Sequence, residues 1–386
     1  MAFLSNKSVN LANLHSMTHS MALSVAGMFF VAFLLKAGVR PHHVLLVVAA
    51  TLAARMALRP LSLATIRRVG MRRTMMLGTV LNAAQFVPLG LADGLGPAVW
   101  VWALSSALAD IFYWLPYHAY FACIGDAEHR GKQLGVRQAL SAVCDVLGPV
   151  TGGLLVSHCG VWASLAVGAT VSLAGLWPLL HLPDVDAGPP VRPRLWSPRP
   201  GANLFFADAW IAAGTVFAWQ IVLFHTMNDD FTALGLVASA AGVVTVLTNL
   251  TVGKLVDRGH GMTINRLSMA VFAASLVVRV VAVDATTATV ATLINAFVLC
   301  LYIPSLMAEV YNRAKASESA LAFHFEAEGA WDMGGILGCL LAALVTVVAG
   351  SNAAVGVAFG GILVMAALRE GLAKLAAAAT DNADRG

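Results

Sequence analysis

Charge is what this chain has least of. Asp, Glu, Lys and Arg make up only 11% of its 386 residues, about half the fraction of a soluble protein of this size. The basic excess is slight too. There are 24 Lys and Arg against 20 Asp and Glu, a formal net charge of +4, and the basic residues are scattered between apolar segments. Without a basic patch, no nucleic-acid partner is expected. The five cysteines (Cys123, Cys144, Cys159, Cys300, Cys339) show no CxxC and no ligand spacing, so they read as small apolar fillers. Enzyme signatures are missing as well. There is no Walker A loop, no GxSxG and no HExxH, so neither ATP hydrolysis nor any cofactor is expected. The N-terminal MAFLSNKSVNLANLHSM carries one lysine and runs straight into apolar sequence, with no cleavable signal.

What fills the chain is apolar sequence: 59% of residues are hydrophobic, with mean hydropathy +0.78. A stretch of about 20 apolar residues crosses a bilayer as a helix. Twelve are expected: 17–38, 43–66, 72–93, 97–123, 134–157, 161–182, 203–226, 231–253, 264–284, 286–312, 321–348 and 352–376. The Pro-rich segment 184–202 (DVDAGPPVRPRLWSPRPGA) cannot continue a helix and reads as a linker between halves 1–183 and 203–386. The expected fold class is thus an all-α integral membrane protein, twelve transmembrane helices in two pseudo-symmetric six-helix bundles. Lys and Arg crowd the loops after spans 2, 4, 8 and 10, the linker and the C-terminus. The opposite loops hold little beyond Lys36 and Arg40, so both termini are expected on the cytoplasmic side of the cell's inner membrane.

Polar residues recur inside these spans at helical spacing. Asp110, Trp114, Tyr117 and His118 fall at i, i+4, i+7 and i+8; Arg137, Ser141 and Asp145 are four apart; so are Glu328 and Asp332. Ionisable groups on helices this apolar are costly in lipid and are expected to face a protein or water-filled interior. The halves also repeat. RRVG (67–70) matches DRGHG (257–261), Pro116 in YWLPY matches Pro304 in LYIPS, and CDVLG (144–148) matches WDMGG (331–335), all offset by about 190 residues. Parallel repeats of this kind build many secondary transporters, with the site between the halves.

These residues resemble the major facilitator superfamily along essentially the whole chain. Its signature after span 2 is a Gly, an Asp-Arg, then a Gly and basic residues. The second half carries a close version in Gly253, Asp257, Arg258 and Gly261. The first half departs from it, with Leu63 at the Gly position and Arg67 at the Asp, leaving Arg68, Gly70, Arg72 and Arg73. The resemblance implies a latch between helix ends at Arg68, Gly70, Asp257 and Arg258. On span 5 the superfamily's drug/proton antiporters carry a glycine series ending in GPxxGG, and here Gly135, Gly148, Pro149, Gly152 and Gly153 match, with Cys144 at the remaining position. That implies export. Independently of the family, glycines let helices approach closely, and Pro149 frees the carbonyl of Asp145. The family's span-4 Arg-Gln-Gly signature is missing; Asp110 and Trp114 stand about where its Arg and Gly would be. Any protons must then ride on a carboxylate.

Asp110, Asp145, Glu326, Glu328 and Asp332 are the acids expected within spans, against Arg55, Arg59, Arg137 and Arg279. Structural ion pairing explains such groups as readily as chemistry does, and for Arg55 and Arg59 pairing or gating is the expected role. Acids outnumber the deep arginines, so one carboxylate is expected to lack a cation. Asp145 and Asp332, at matching places in the halves, are the candidates for proton carriage, with Glu328 beside them. Asp110, Trp114, Tyr117, His118, Trp219 and Tyr302 are candidates for solute contact, although packing and interfacial anchoring are the competing roles for the aromatics. Glu309 is expected to pair with an arginine. His15 and His19 are expected at the polar lead-in to span 1, with a soft-metal site as the alternative.

The function expected is alternating-access transport of a small organic solute by a monomer, coupled to protons and directed outward. Import of a small metabolite, or a scaffold or sensor without flux, are the competitors.

Overall fold

A computed structural model describes residues 6–124, 130–185, 194, 200–256, 261–315, 317 and 319–383. Every element in them is helical: α1 (Lys7–Val25), a 3-10 turn (Gly27–Phe29), α2 (Phe30–Lys36), α3 (Pro41–Val69), α4 (Met71–Ala84), α5 (Phe86–Gly90), α6 (Pro97–Ile124), α7 (Arg130–Cys159), α8 (Val161–Ala174), α9 (Leu176–Leu180), α10 (Pro200–Ala212), a π-helical segment (Ala213–Ala218), α11 (Trp219–Thr226), α12 (Phe231–Val256), α13 (Gly261–Val280), α14 (Ala285–Lys315), α15 (Ala320–Ala349), α16 (Ser351–Val355) and α17 (Ala358–Ala383).

Among the described residues ten helical stretches are long and apolar enough to cross a membrane, two fewer than expected. The segment expected at 72–93 breaks at Gln85 into α4 and α5 and carries Arg72, Arg73, Asn82 and Gln85. At the other, the apolar described stretch is only Met269–Val280.

The first helix begins earlier than its apolar run. Asn6 caps it, accepting from the Val9 N–H at 3.1 Å, and Asn13, His15, Ser16 and His19 are buried. These residues face neighbouring helices, so they do not form a polar lead-in at the membrane edge. His15 Nδ1 lies 2.9 Å from the Gly175 carbonyl. A side chain at Gly175 would collide with Thr18 at 2.6 Å, which is why a glycine stands at that break between α8 and α9. Gly70, Gly160 and Gly350 turn the chain at the starts of α4, α8 and α16 with φ of 85°, 86° and 88°, a left-handed conformation that favours glycine.

α1 packs on α7 and α8, α4 on α6, and α3 on α6; later in the chain α10 packs on α15 and α17, and α14 on α12 and α13. Two long contacts join these sets: α3 with α15, and α7 with α12. At one end Phe29, Phe33, Phe224 and Phe231 are buried in a ring cluster, with Phe33 and Phe224 at 5.4 and 5.0 Å from Phe231.

Candidate functional site

The contact between α3 and α15 is built from charge. Arg55 and Arg59 lie one turn apart on α3, as Glu328 and Asp332 do on α15, so two pairs at helical spacing can meet in register. Asp332 is completely buried and accepts from both guanidiniums, Arg55 at one carboxylate oxygen and Arg59 at the other. Glu328 reaches Arg59 at 3.5 Å, and its backbone carbonyl accepts from the same guanidinium at 3.2 Å. Asp110, from α6, bonds Arg55 at 3.2 Å. Two cations thus meet three carboxylates, with Arg55 and Arg59 both in ion pairs. Asp332, placed among the proton carriers, is enclosed by two guanidiniums. Only Asp110 is substantially open, with 37% of its side chain exposed.

That opening leads into a cavity of about 220 Å³ lined by Arg55, Asp110, Asn82, Gln85, Trp102 and Trp331. The Arg55 guanidinium lies over the Trp331 ring at 4.8 Å. A residue overlooked in the sequence fixes this wall. Asp208 on α10 accepts from Trp331 Nε1 at 3.1 Å and from the Tyr302 hydroxyl at 2.8 Å. The signal was there: Asp208 in FFADAW is an acid in an apolar span, like Asp110.

The solute wall expected along α6 divides. Asp110 faces the cavity, while Trp114, Tyr117 and His118 do not line it and join a stack of rings instead. Trp114 meets Tyr113 edge-on at 5.0 Å; His118 stacks between Trp114 and His324 at 5.8 and 5.5 Å. Tyr117 is buried and accepts from Arg137 at 3.4 Å. Tyr302 is completely buried against Asp208, and Trp219 is buried with Nε1 donating to Thr292 at 3.2 Å. Both aromatics hold other polar groups in place. His19 stacks on Tyr113 at 3.7 Å, and among the described residues no group of three or more His, Cys, Asp or Glu could hold a metal.

The contact between α7 and α12 carries no ion pair among the described residues. Its GPxxGG stretch serves two neighbours. Side chains at Gly148 and Gly152 would run into Ser24 and Val25 of α1, and one at Gly153 into the Phe231 carbonyl of α12. In return, Gly235 lies under the Pro149 carbonyl and Gly242 under that of Asp145, where a Cβ would come within 2.6 Å. Beside this contact lies a second cavity, of about 300 Å³, lined by Asp145, Arg279, Asn295 and Thr245 among others. Asp145 is exposed and pairs with no cation among the described residues. Arg279 is 2% exposed, donates to the Thr215 carbonyl at 2.7 Å and lies over the Trp219 ring at 4.5 Å.

Near the helix ends, Arg68 is exposed, and Arg72 ties the start of α4 to Asp184 at 3.0 Å and to the Leu182 carbonyl at 3.0 Å. Asp257 and Arg258 lie outside the described residues. Glu309 pairs with Arg313 at 3.1 Å and Arg369 at 3.8 Å, the structural role expected of it.

Residues 14–325 match the model of the family described as Major Facilitator Superfamily. The chain belongs to that superfamily. It is a multi-pass membrane transporter and not an enzyme. Two solved structures share its fold at low identity. The human organic anion transporter MFSD10 (TETRAN) aligns at 15% identity and TM-score 0.65, covering 93% of this chain and 99% of that one. The nucleoside transporter NupG, solved as a point mutant, aligns at 11% identity and TM-score 0.66, covering 94% and 98%. No curated protein matches the chain. Major facilitator transporters bind small solutes within the membrane, and both cavities offer room for one among the described residues.

Proposed function

We propose that the chain exports a small organic solute in exchange for protons by alternating access, two six-helix halves (1–183 and 203–386) rocking about the cavities, with both termini on the cytoplasmic side of the inner membrane. The observation that carries this reading is the α3–α15 charge cluster. It crosses between the halves and forms one wall of a cavity, so the halves separate there only if Asp332 leaves Arg55 and Arg59. A buried pair loses mutual attraction on separation but regains hydration if the opening is wet. Such a contact can be made and broken in a cycle, provided that each open state admits water. Asp110, facing the cavity beside Arg55, couples the gate to what lies inside.

Exchange asks for one group that proton and solute cannot occupy together. Asp145 is suited to that, as a carboxylate exposed to a cavity and without a cation partner. Its backbone carbonyl abuts Gly242 across the second contact between halves, so its position follows their movement. Desolvation disfavours the ionised form of a carboxylate, and closure of the cavity therefore favours whichever cation, proton or solute, it has captured.

The test is reconstitution. Solutes that raise the thermal midpoint of purified protein are chosen first, because preferential binding to the folded state must do so. Proteoliposomes carrying an internal pH dye then report proton movement when such a solute is added. Wild type is expected to move protons against solute, and Asp145→Asn to bind solute without coupled proton flux. Equal coupled rates in the two proteins would sink the assignment to Asp145. Uptake by vesicles of inverted orientation, driven by an inward-acid gradient, distinguishes export from import.

A further inference from the structure

Arg279 has no carboxylate within ion-pairing distance among the described residues, although it is 2% exposed. Its guanidinium spends one nitrogen on the Thr215 carbonyl and one face on Trp219, and its Nε–H has no acceptor. That carbonyl belongs to the π-helical segment Ala213–Ala218, a departure from α geometry of the kind found at functional sites. A cation held this deep without a counter-charge is costly unless something bound supplies one.

Around the same cavity the other polar groups have the opposite need. Asn295 is 5% exposed with an unpartnered Oδ1, and Asp145 presents a carboxylate without a cation. The cavity thus offers one cationic donor and two acceptors. A simple anion would serve Arg279 and leave Asp145 and Asn295 unanswered; a simple amine would do the reverse. We propose that this cavity binds an amino-acid-like zwitterion, the carboxylate on Arg279 and the ammonium between Asp145 and Asn295. Its volume of about 300 Å³ is at the small end of ligand sites. The remaining wall includes Met28, Ala238, Ala241 and Leu299, which suits an apolar side chain of about leucine size.

This assignment rests on the exchange reading and supplies its substrate class: the ammonium of the zwitterion and a proton compete for Asp145. The test is binding to the purified full-length protein without any gradient. The probes are leucine, isoleucine, valine, methionine and phenylalanine, with leucine methyl ester and N-acetylleucine as controls. At least one free amino acid is expected to raise the thermal midpoint, and the two blocked forms to bind at least about tenfold more weakly than leucine. Arg279→Gln is expected to abolish binding. Because that change leaves the Thr215 carbonyl short of a donor, Asp145→Asn provides the second reading: it should weaken free leucine about tenfold and leave N-acetylleucine unchanged. No binding by any of the five amino acids, or a blocked form binding as tightly as leucine, overturns the assignment. Amino-acid binding without proton exchange would instead sink the exchange reading alone, and exchange driven by an unrelated solute would sink this one alone.

Discussion

Where α3 meets α15, two arginines and three carboxylates interlock; where α7 meets α12, glycines from both helices lie under the other's backbone carbonyls. The first contact is specific and directional, because a guanidinium must find an oxygen at a fixed place. The second is specific chiefly through shape, since any Cβ at those glycines would strike backbone that cannot swing aside; two hydroxyl contacts, Ser239 accepting from the Val150 N–H and Thr232 donating to Ser157, add to it. Lipid adds little hydrophobic drive to helix pairing, so close backbone approach and polar contacts are the two means available. Charged contacts dominate one junction between the proposed halves, and close backbone approach dominates the other. A charged contact has two acceptable states, paired when dry and solvated when wet; a glycine contact has one good state and allows sliding near it. That division suits a molecule in which the α3–α15 junction opens fully and the α7–α12 junction accommodates the change.

The largest effect is expected at the carboxylate that both arginines share. Asp332→Asn keeps the shape and leaves two buried guanidiniums with only Asp110 and Glu328 to answer them. Breaking a buried pair in this way costs about 3–5 kcal/mol, read as a lower thermal midpoint and a loss of transport. The double variant Arg59→Leu with Asp332→Asn should recover part of the loss, because the neighbouring effects of one network are not additive. Additive losses would mean that Arg59 and Asp332 act separately, and the contrast between the junctions would fail.

A smaller and different effect is expected at Gly153. A valine there pushes its Cβ against the Phe231 carbonyl, and overpacking of this kind costs about 1–3 kcal/mol. The readout should be local. Thr232 donates to Ser157 at 2.8 Å across the same junction, so a Ser157→Cys, Thr232→Cys pair should cross-link readily. Gly153→Val should slow that cross-link, while Asp332→Asn should leave it unchanged. Slowing by Asp332→Asn alone would place the strain of the glycine junction under the control of the charged one.

The sequence alone disclosed the ingredients of both junctions but not their pairing. Arg55 and Arg59, or Glu328 and Asp332, are read directly as pairs one turn apart. That the first pair meets the second, across 269 to 277 residues of chain, no local pattern can say. Periodicity tells which residues share a face. In a soluble helix it also tells which face is inward, because the outer one is polar. A helix in lipid is apolar on both sides, so the direction is lost. Hence Trp114, Tyr117 and His118 share a helical spacing with Asp110 and yet meet rings rather than the cavity. For His15 and His19, polarity at the start of a span suggests exposure at the membrane edge; their burial against Gly175 and Tyr113 shows polarity used inside. Asp208 is an acid legible in an apolar span, but its partners Tyr302 and Trp331 lie 94 and 123 residues away, beyond any local pattern.

The smallest effect is expected at the pair that lies outside both junctions. Arg72 and Asp184 are 3.0 Å apart, as close as ordinary pairs come, but their side chains are 21% and 59% exposed. Water and salt screen such a pair, and exposed pairs contribute about 0.2–1 kcal/mol. Arg72 also keeps the Leu180 and Leu182 carbonyls as acceptors when the carboxylate is gone. Asp184→Asn should therefore lower the thermal midpoint slightly, and raising the ionic strength should erase the difference from wild type. The deficit of Asp332→Asn should persist through the same titration, since ions do not reach a residue of zero exposure. If salt removed both deficits alike, Asp332 would be wet in the resting protein and the α3–α15 junction would already stand open.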